Sequence, residues 1–538
     1  MAPLKSPLKF WAEILDAARI QKTQFDRACA SPGQAQAALL SQILGPNAQT
    51  RFGREHRFSE ISSADEFRSR VPIRSYEDFR PWIDELVAGK SNILTREPVI
   101  AFEETGGSTS GGKLIPYTAS SLLAFRAAVL PWLSDLADRR PRAFAGKAYV
   151  AISPATRVPR TIGAIPVGLP SEGAYLGADL IPAFLNVLAT PPWVAAISDM
   201  KHWRHATLAS LLACPDLTIV SIWSPTFFIG LLEALPVLAE PLLKTLRDGT
   251  GQFARCPADA PLLPCDAARL RVIEKAIARA PIDTPLIWPN LDTVSAWADG
   301  ASRSYARQLQ NMLPHAVLQP KGLLATEGAV TTPCSASGSL IWPVPALTSA
   351  FLEFIDEAGA SRLCTQLRAG ESYRVVMTNA GGFYRYDLGD RLRCHGYDGL
   401  VPLLEFLGRD IASDLVGEKL SEHFVGEALA VVDGPACLAP RPAPVPHYEL
   451  LVETRPGVSL QHAAAQVEDR LRANPQYDYA RRMGQLAPLT VQPVDRLLDR
   501  YVAHETKRGR RFADIKPPTL LRDAAAYATL TNQVDCDN

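Results

Sequence analysis

Short β-rich runs alternate with helical stretches along most of this chain, and that alternation limits the folds open to it. Between about residues 97 and 400 the runs include PVIAF, AYVAISP, LTIVSIW, AVLQPKGLLA and SYRVVMTN. Helical periodicity over residues 8–42 predicts that amphipathic helices precede them. Strands mixed with helices in this way predict a large α/β unit whose sheets are covered by helices.

The pattern changes near residue 408 into a smaller region. VPHYELLVET at 445–454 predicts a strand, and apolar residues at helical spacing predict helices over 460–471 and around 494–502. Strands and helices in about 100 residues are enough for a small α+β domain. The predicted organisation is a large N-terminal domain at 1–407 and a small mobile C-terminal domain at 408–538, with a hinge at about 408–412.

Charge and composition exclude several classes of function. The chain has 56 Lys and Arg against 56 Asp and Glu, so no overall field attracts nucleic acid or an anionic membrane. The run LTIVSIWSPTFFIGLL at 217–232 is shorter than the roughly 20 residues of a bilayer span, so we interpret it as a buried strand, a turn and a buried helix. Nine cysteines without C-x-x-C spacing are typical of a reducing compartment. We therefore expect a cytoplasmic enzyme with no membrane and no nucleic-acid partner.

The most informative motif is TGGSTSGGK at 105–113, which follows the apolar run PVIAF. Glycines and small hydroxyl residues allow backbone N–H groups to surround phosphate oxygens without obstruction by a Cβ atom, and Lys113 adds positive charge. The Walker pattern GxxxxGK[ST] is not satisfied. A flexible linker is the alternative, but the preceding strand and the terminal lysine favour a phosphate-binding loop.

Three further motifs follow in order along the chain. YRYDLGD at 384–390 places Asp390 after a tight glycine, where its carboxylate can accept ribose hydroxyls, although a hairpin with a structural aspartate is equally compatible. ATEG at 325–328 places Glu327 at the end of an apolar run. LEFLGRDIASDLVGEKLSE at 404–422 contains two glycine turns, the second of which precedes Lys419. Each motif alone is also compatible with a surface turn, so the order of all four is the informative feature.

Together these segments resemble the adenylate-forming superfamily, which includes acyl-CoA synthetases, luciferases and peptide-synthetase adenylation domains. Within it the chain is most similar to the acyl-acid amido synthetases, the auxin- and jasmonate-conjugating family of plants and its bacterial relatives. The similarity rests on ETGGSTSGGKLIPYT, IWSPTFF, IWPNL, GGFYRYDLGD, EFLGRDIASDLVGEKLSE and IKPP, between about residues 100 and 518. It implies the two-domain architecture of adenylate-forming enzymes.

The resemblance implies a two-step ligase that uses ATP and Mg²⁺. A carboxylic acid and ATP form an acyl-adenylate and pyrophosphate, and an amine, expected to be that of an amino acid, then displaces AMP to form an amide. Both substrates are small molecules. Transfer of the acyl group to the thiol of coenzyme A or of a carrier protein is the alternative, and a nucleotide-binding interaction protein without turnover is a third hypothesis.

The resemblance also assigns residues. Glu327 is expected to hold Mg²⁺, Asp390 to accept the ribose hydroxyls, and Lys419 to contact the α-phosphate, with Lys516 of DIKPP as the competing lysine. The full set expected at the nucleotide is Thr105, Gly107, Ser108, Thr109, Ser110, Lys113, Thr326, Glu327, Tyr386, Asp390, Arg409 and Lys419.

Two features depart from the family pattern. Leu324 and Ala325 replace the usual Tyr-Gly before the Thr-Glu pair, so a tyrosine that stacks on adenine is not expected there. The acyl pocket has no positions that map by similarity. Our hypothesis is an apolar slot for the acyl acid, formed by Val158, Ile165, Trp223, Phe227 and Phe228. Ordinary core packing is the more common role of large apolar side chains like these.

Overall fold

The computed structural model describes most of the chain. The described residues are 7–105, 113–151, 160–169, 172–248, 265–334, 342–409, 412–413, 415–416, 418, 420–442, 445–454, 459–482, 485–510, 512 and 515–531. The α-helices are α1 (Pro7–Ala30), α2 (Pro32–Asn47), α3 (Arg51–Glu55), α4 (Ala64–Arg70), α5 (Tyr76–Val87), α6 (Ala119–Arg139), α7 (Ile181–Val187), α8 (Met200–Ala213), α9 (Pro225–Val237), α10 (Ala239–Asp248), α11 (Ala267–Ile277), α12 (Thr284–Ile287), α13 (Arg303–Met312), α14 (Glu422–Leu429), α15 (Leu460–Leu471), α16 (Pro475–Arg482), α17 (Leu497–Lys507) and α18 (Ala524–Thr531).

Most strands are short, as the sequence runs predicted, although β16 has 13 residues. They are β1 (Ala101–Thr105), β2 (Lys113–Tyr117), β3 (Lys147–Val150), β4 (Arg160–Ile162), β5 (Ile165–Val167), β6 (Leu217–Ser221), β7 (Thr293–Ala296), β8 (Val317–Pro320), β9 (Leu324–Ala325), β10 (Gly328–Ala329), β11 (Thr331–Thr332), β12 (Val344–Pro345), β13 (Phe351–Ile355), β14 (Ser361–Arg362), β15 (Ser372–Thr378), β16 (Tyr386–Asp398), β17 (Val401–Arg409), β18 (Ala412–Ser413), β19 (Leu420–Ser421), β20 (Ala436–Arg441), β21 (His447–Glu453) and β22 (Thr490–Val494).

The chain divides into two compact units. The larger unit consists of Met1–Trp297, Gln308–Leu388 and Leu392–Glu405, and the smaller unit of Ala298–Arg307, Gly389–Arg391 and Phe406–Asn538. The predicted α/β class is confirmed, since helices and several sheets recur through the larger unit.

Three sheets organise the larger unit. One has the order β3-β6-β7-β8 and is parallel throughout. A second, with the order β2-β1-β5-β4, contains the β1–β2 hairpin, and the third has the order β14-β13-β15-β16-β17. Strand β6 of this sheet, LTIVS, is buried over its first four residues, and β7 is buried throughout, because strands covered on both faces have no solvent face.

Helix α6 links these sheets and begins at a capping box. The Thr118 hydroxyl accepts the Ser121 N–H, and the Ser121 hydroxyl accepts the Thr118 N–H, which satisfies two N–H groups that have no partner within the helix. Thr118 also donates to the carbonyl oxygen of Ala380 at 3.4 Å. The start of α6 is thereby held beside the turn that precedes β16.

The smaller unit has its own core. Strands β20, β21 and β22 form a three-stranded sheet with β21 in the centre, and Tyr448, Leu450 and Val452 of β21 are fully buried in the core. Prolines alternate with other residues from Pro440 to Pro446, and this stretch begins inside edge strand β20, where Pro440 pairs with Tyr448. An edge strand tolerates proline because its outer N–H groups need no partner in the sheet.

No single helix in the described part of the chain is long and apolar enough to cross a bilayer. Residues 225–234 and 239–248 meet the length and composition criteria only together, as a pair bent by 82°.

Candidate active site

Three of the sequence motifs meet in the larger unit. The Lys113 ammonium donates to the Tyr386 hydroxyl at 3.2 Å, and that hydroxyl donates to Glu327 Oε1 at 2.9 Å. Lys113 Nζ also lies 5.4 Å from the centre of the Tyr76 ring and 5.9 Å from that of Tyr386. A cation and a carboxylate are thus held together through one phenol, in an arrangement that can receive a phosphate and a metal ion.

The β1–β2 hairpin positions the glycine-rich motif. Its register pairs Thr105 with Lys113, the first and last residues of the motif. Residues 106–112, which include the predicted phosphate ligands Gly107, Ser108, Thr109 and Ser110, lie outside the described residues, as does the side chain of Thr105. Their roles stay predictions.

Tyr386 is fixed by a buried ion pair next to it in the chain. Arg385 donates from Nε and Nη2 to the two carboxylate oxygens of Glu353, both at 3.0 Å, and from Nη1 to the carbonyl oxygens of Arg68 and Val71. Arg385 has a φ of +52°, a left-handed conformation that is uncommon for a side-chain-bearing residue. The bidentate pair holds this turn and so aims the Tyr386 ring, which is 1% exposed.

The turn that carries Glu327 is held through its backbone. Asn379 Nδ2 donates to the Glu327 carbonyl oxygen at 2.5 Å, and the Tyr117 hydroxyl donates to the Thr326 carbonyl oxygen at 2.7 Å. Burial, followed by the neighbouring Tyr175, raises the pKa of Tyr117 well above its usual value, so this phenol stays a hydrogen-bond donor. Gly328 has a φ of +156°, and a Cβ there would lie 2.9 Å from Met377 Sδ. The φ and this close contact together favour the glycine of ATEG at the turn.

The remaining predicted nucleotide residues belong to the smaller unit. Asp390 follows Gly389, whose φ is +70°, and its side chain is 3% exposed. Lys516 is exposed and follows the buried Ile515. Lys419 and the side chain of Arg409 lie outside the described residues.

Glu418, beside Lys419, is buried and organises the turn before it. Its Oε1 accepts the Leu415 N–H and its Oε2 the Val416 N–H, both at 2.8 Å, and the Tyr448 hydroxyl donates to Oε1. Burial and then this carboxylate raise the pKa of Tyr448, so the phenol keeps its proton. Two backbone N–H groups and a phenol thus hold the residue that precedes the predicted catalytic lysine.

The residues of the predicted acyl slot lie on different elements. Phe227 and Phe228 of α9 are 2% and 0% exposed and pack against Tyr149, with ring centres 6.4 and 5.8 Å away. Ile165 lies on β5 and packs against a separate core cluster, while Trp223 is half-buried after β6. Val158 lies outside the described residues. The slot stays a prediction, and Trp223 is the member at the carboxyl end of the parallel sheet.

Among the described residues, one cluster in the smaller unit offers possible metal ligands. Ligand atoms of His504, Glu505 and Asp523 are within 4.8 Å of one another. Arg510 pairs with Glu505 at 2.7 Å, and Arg508 pairs with Asp523. Since arginines already compensate both carboxylates, the cluster is explained as an ion-pair network.

Comparison with known proteins decides the family. Models of the GH3 family N-terminal, central and C-terminal domains match residues 21–318, 344–409 and 422–525. The chain belongs to the GH3 family. It is 24% identical to a probable indole-3-acetic acid-amido synthetase GH3.12 of Oryza sativa subsp. japonica, over 74% of this chain and 73% of that protein. It is also 24% identical to the jasmonoyl–L-amino acid synthetase JAR6 of Nicotiana attenuata, over 76% and 77%. The family predicted from the motifs is confirmed.

Solved structures agree on the fold. The GH3.15 acyl acid amido synthetase superposes with a TM-score of 0.83 at 18% identity and covers 95% of both chains. A 2-hydroxyisobutyryl-CoA ligase in the postadenylation state superposes with a TM-score of 0.57 at 14% identity, over 93% of this chain and 91% of that one. The predicted adenylate-forming architecture is thereby confirmed.

Sequence reasoning missed several residues of the site. Tyr76 and Glu353 contact or support the motif residues but lie outside every motif that we recognised. Tyr117 lies within ETGGSTSGGKLIPYT and Asn379 ends the run SYRVVMTN, but neither was given a role. Asn379 carried a signal, because a side-chain amide before Gly-Gly commonly closes a turn on the backbone N–H groups that follow it. Its Oδ1 accepts the N–H groups of Gly381 and Phe383 at 2.9 and 3.1 Å.

Proposed function

We propose that this chain is an ATP-dependent acyl acid amido synthetase. The observation that carries the proposal is the Lys113–Tyr386–Glu327 contact, because it joins three motifs that are each expected at the nucleotide, although Tyr386 lies 273 residues from Lys113 and 59 residues from Glu327 in the chain. Membership of the GH3 family and the amido synthetases among its relatives support the choice of an amide as the product.

In the first step a carboxylate oxygen of the acid attacks the α-phosphorus of ATP, the new P–O bond gives the acyl-adenylate, and pyrophosphate leaves. Two anions must approach each other, so the site needs positive charge and N–H donors where negative charge accumulates. Lys113 and the glycine-rich segment are proposed to hold the β- and γ-phosphates. Asp390 is proposed to accept the ribose hydroxyls, and Lys419 to contact the α-phosphate, with Lys516 as its alternative.

In the second step the amine nitrogen attacks the acyl carbon, the C–O bond to AMP breaks, and the amine loses a proton to solvent. Positioning of the two reactants supplies most of the rate, because the adenylate is already an activated acyl group. An amino acid is the proposed acceptor.

A magnesium ion fits the donors that are present. Mg²⁺ prefers hard oxygen ligands, and Glu327 offers a half-buried carboxylate whose Oε1 is oriented by the Tyr386 hydroxyl. When bound, the ion would neutralise part of the charge on the phosphates. Glu327 would hold it directly or through water.

Acid-dependent exchange of labelled pyrophosphate into ATP, with the amine omitted, tests the first step. We expect exchange with at least one acid of a broad panel, weaker ATP binding in Asp390→Ala, and slower exchange in Lys419→Ala with ATP binding less affected. Exchange with no acid would refute the proposal. Mass spectrometry after addition of amino acids or coenzyme A then identifies the acceptor, and a thioester in place of an amide would favour a thiol ligase.

A further inference from the structure

The carboxylate proposed to hold the metal ion lies on a very small hairpin. Thr326 and Glu327 are the two turn residues between β9 and β10, and each of these strands has only two residues. An isolated two-stranded hairpin is at best marginally stable in water, so contacts from outside must fix the direction of the Glu327 side chain. The Tyr117 hydroxyl donates to the Thr326 carbonyl oxygen at 2.7 Å. Asn379 Nδ2 donates to the Glu327 carbonyl oxygen at 2.5 Å.

The Asn379 side chain forms hydrogen bonds at both ends. While Nδ2 donates to Glu327, Oδ1 accepts the N–H groups of Gly381 and Phe383 at 2.9 and 3.1 Å. Two N–H donors on one side and a carbonyl oxygen on the other fix the orientation of the amide, because a flipped amide would place donor against donor. Asn379 is 6% exposed, so a bond lost here leaves a polar group without water to replace its partner. One buried side chain thus joins the Glu327 hairpin to the turn at 380–383.

This turn is held close to the strand that carries Lys113. A Cβ atom on Gly381 would lie only 3.0 Å from the carbonyl oxygen of Pro116 in β2, so the turn and the strand are in tight contact. Three residues after the turn the chain reaches Tyr386, whose hydroxyl donates to Glu327 Oε1 at 2.9 Å. The metal-binding residue is therefore held twice from one segment of the chain, at its backbone by Asn379 and at its carboxylate by Tyr386.

We propose that Asn379 is a positioning residue for the divalent cation that accompanies ATP. The inference rests on the proposed function and goes beyond it by naming the group that sets the affinity for the metal ion. Mg²⁺ requires near-octahedral geometry at about 2.1 Å, so a carboxylate that must be ordered during binding holds it more weakly than one that is already in place. Loss of the Asn379 donor frees the Glu327 carbonyl oxygen and with it the direction of the side chain.

Asn379→Ser in the full-length protein tests the proposal. A serine hydroxyl can still close the turn on a backbone N–H group, but it is too short to reach the Glu327 carbonyl oxygen. Isothermal titration calorimetry measures the affinity for ATP in Mg²⁺ and in EDTA, with no acid present and therefore no turnover. We expect Mg²⁺ to tighten ATP binding by the wild type, and Asn379→Ser to lose about tenfold of that gain, a typical effect of removing an outer partner of a metal ligand. Binding in EDTA should change by less than about threefold.

Asn47→Ser is the matched control. Asn47 is 8% exposed, its Nδ2 donates to the Ile43 carbonyl oxygen, and its Oδ1 accepts the Arg96 N–H, both at 2.8 Å. Its replacement removes the same kinds of hydrogen bond in the larger unit, so thermal unfolding should shift by a similar amount while the gain from Mg²⁺ stays as in the wild type.

Asn379→Asp gives an independent answer, also if Asn379→Ser does not fold. Aspartate keeps both acceptor bonds at the same size and lacks only the donor. Its negative charge alone would strengthen the binding of Mg²⁺, so a smaller gain from Mg²⁺ in this variant identifies positioning as the cause. A larger gain would overturn the inference.

The magnesium dependence of pyrophosphate exchange provides a second readout. In Asn379→Ser the Mg²⁺ concentration for half-maximal exchange should rise about tenfold, more than the rate at saturating Mg²⁺ falls, whereas a smaller folded fraction would lower the rate equally at every concentration. Equal magnesium dependence in the wild type and Asn379→Ser would overturn the inference while the ligase function stands. Absence of exchange with every acid would overturn the proposed function, and the calorimetry, which needs no acid, then decides the role of Asn379 separately.

Discussion

The Tyr386 hydroxyl bridges Lys113 and Glu327 by hydrogen bonds, and its removal is the most informative single change. Tyr386→Phe keeps the ring, which packs 4.6 Å from Phe383 and 6.1 Å from Phe79 between ring centres, and deletes only the oxygen. Lys113 and Glu327 then lose their common partner and are free to pair directly. The lysine would be drawn away from the position proposed for the phosphates.

The magnitude follows from the hydrogen bonds lost. A hydrogen bond to a charged group contributes about 1.5 to 3 kcal/mol, and each 1.4 kcal/mol is a factor of ten. We therefore expect acid-dependent pyrophosphate exchange to fall by about 10- to 100-fold in Tyr386→Phe. Thermal unfolding should show only a small change, because the ring still fills its site.

Tyr384→Phe is the matched control. Its ring is also fully buried, and its hydroxyl donates to the Leu94 carbonyl oxygen at 2.7 Å, a neutral acceptor. Its loss leaves a buried carbonyl oxygen unpaired and should cost about 1 to 3 kcal/mol of stability, with exchange by the folded protein little affected. If Tyr386→Phe exchanges pyrophosphate at the wild-type rate, or loses no more activity than Tyr384→Phe, the proposed role of the phenol is wrong.

Three further changes test the supports of the site. Glu353→Gln breaks the buried bidentate pair with Arg385 and should lower the free energy of unfolding by about 3 to 5 kcal/mol in guanidinium titrations; a loss below 1 kcal/mol would show that the pair does not hold this turn. Glu418→Gln removes a carboxylate that accepts two backbone N–H groups, so it should destabilise the smaller unit by about 1 to 3 kcal/mol. The loss should appear as faster amide hydrogen exchange at 415–416, and unchanged exchange would contradict the role of Glu418 in that turn. Burial lowers the pKa of His56 below its usual 6.5, so the unfolded chain takes up this proton at a higher pH than the folded protein. The stability contributed by neutral His56 is therefore present above about pH 6.5 and lost as the pH falls below it. His56→Gln should reduce the drop in unfolding free energy between pH 7.5 and 5.5, and an unchanged drop would refute this sign.

Local patterns predicted much of the fold correctly. The run LTIVSIWSPTFFIGLL forms strand β6, a turn and helix α9, because β-branched residues, a proline and an apolar helical stretch follow in that order. The strand before the glycine-rich motif and the helices that begin the chain were predicted for the same reason, namely that their periodicity is local.

Features that depend on distant contacts were not predictable in this way. AVLQPKGLLA looks like one strand, yet β8 ends at Pro320, and a Cβ on Gly322 would lie only 2.2 Å from the Thr331 carbonyl oxygen. The close approach of this second segment turns the chain after Lys321. Likewise Glu353 lies 32 residues before Arg385, and no local sequence pattern predicts that the two side chains form an ion pair. The motifs predict candidate nucleotide-binding residues, whereas the residues that hold Tyr386 and the Glu327 turn in place follow only from the three-dimensional structure.

Isotope transfer tests the central claim most directly. An acid that supports pyrophosphate exchange is prepared with ¹⁸O at both carboxylate oxygens and incubated with the enzyme, ATP, Mg²⁺ and an amino acid. The masses of the products are then measured by mass spectrometry. Adenylation followed by amide formation predicts one ¹⁸O in AMP and one in the amide carbonyl. Unlabelled AMP, or ADP with labelled inorganic phosphate, would contradict the account.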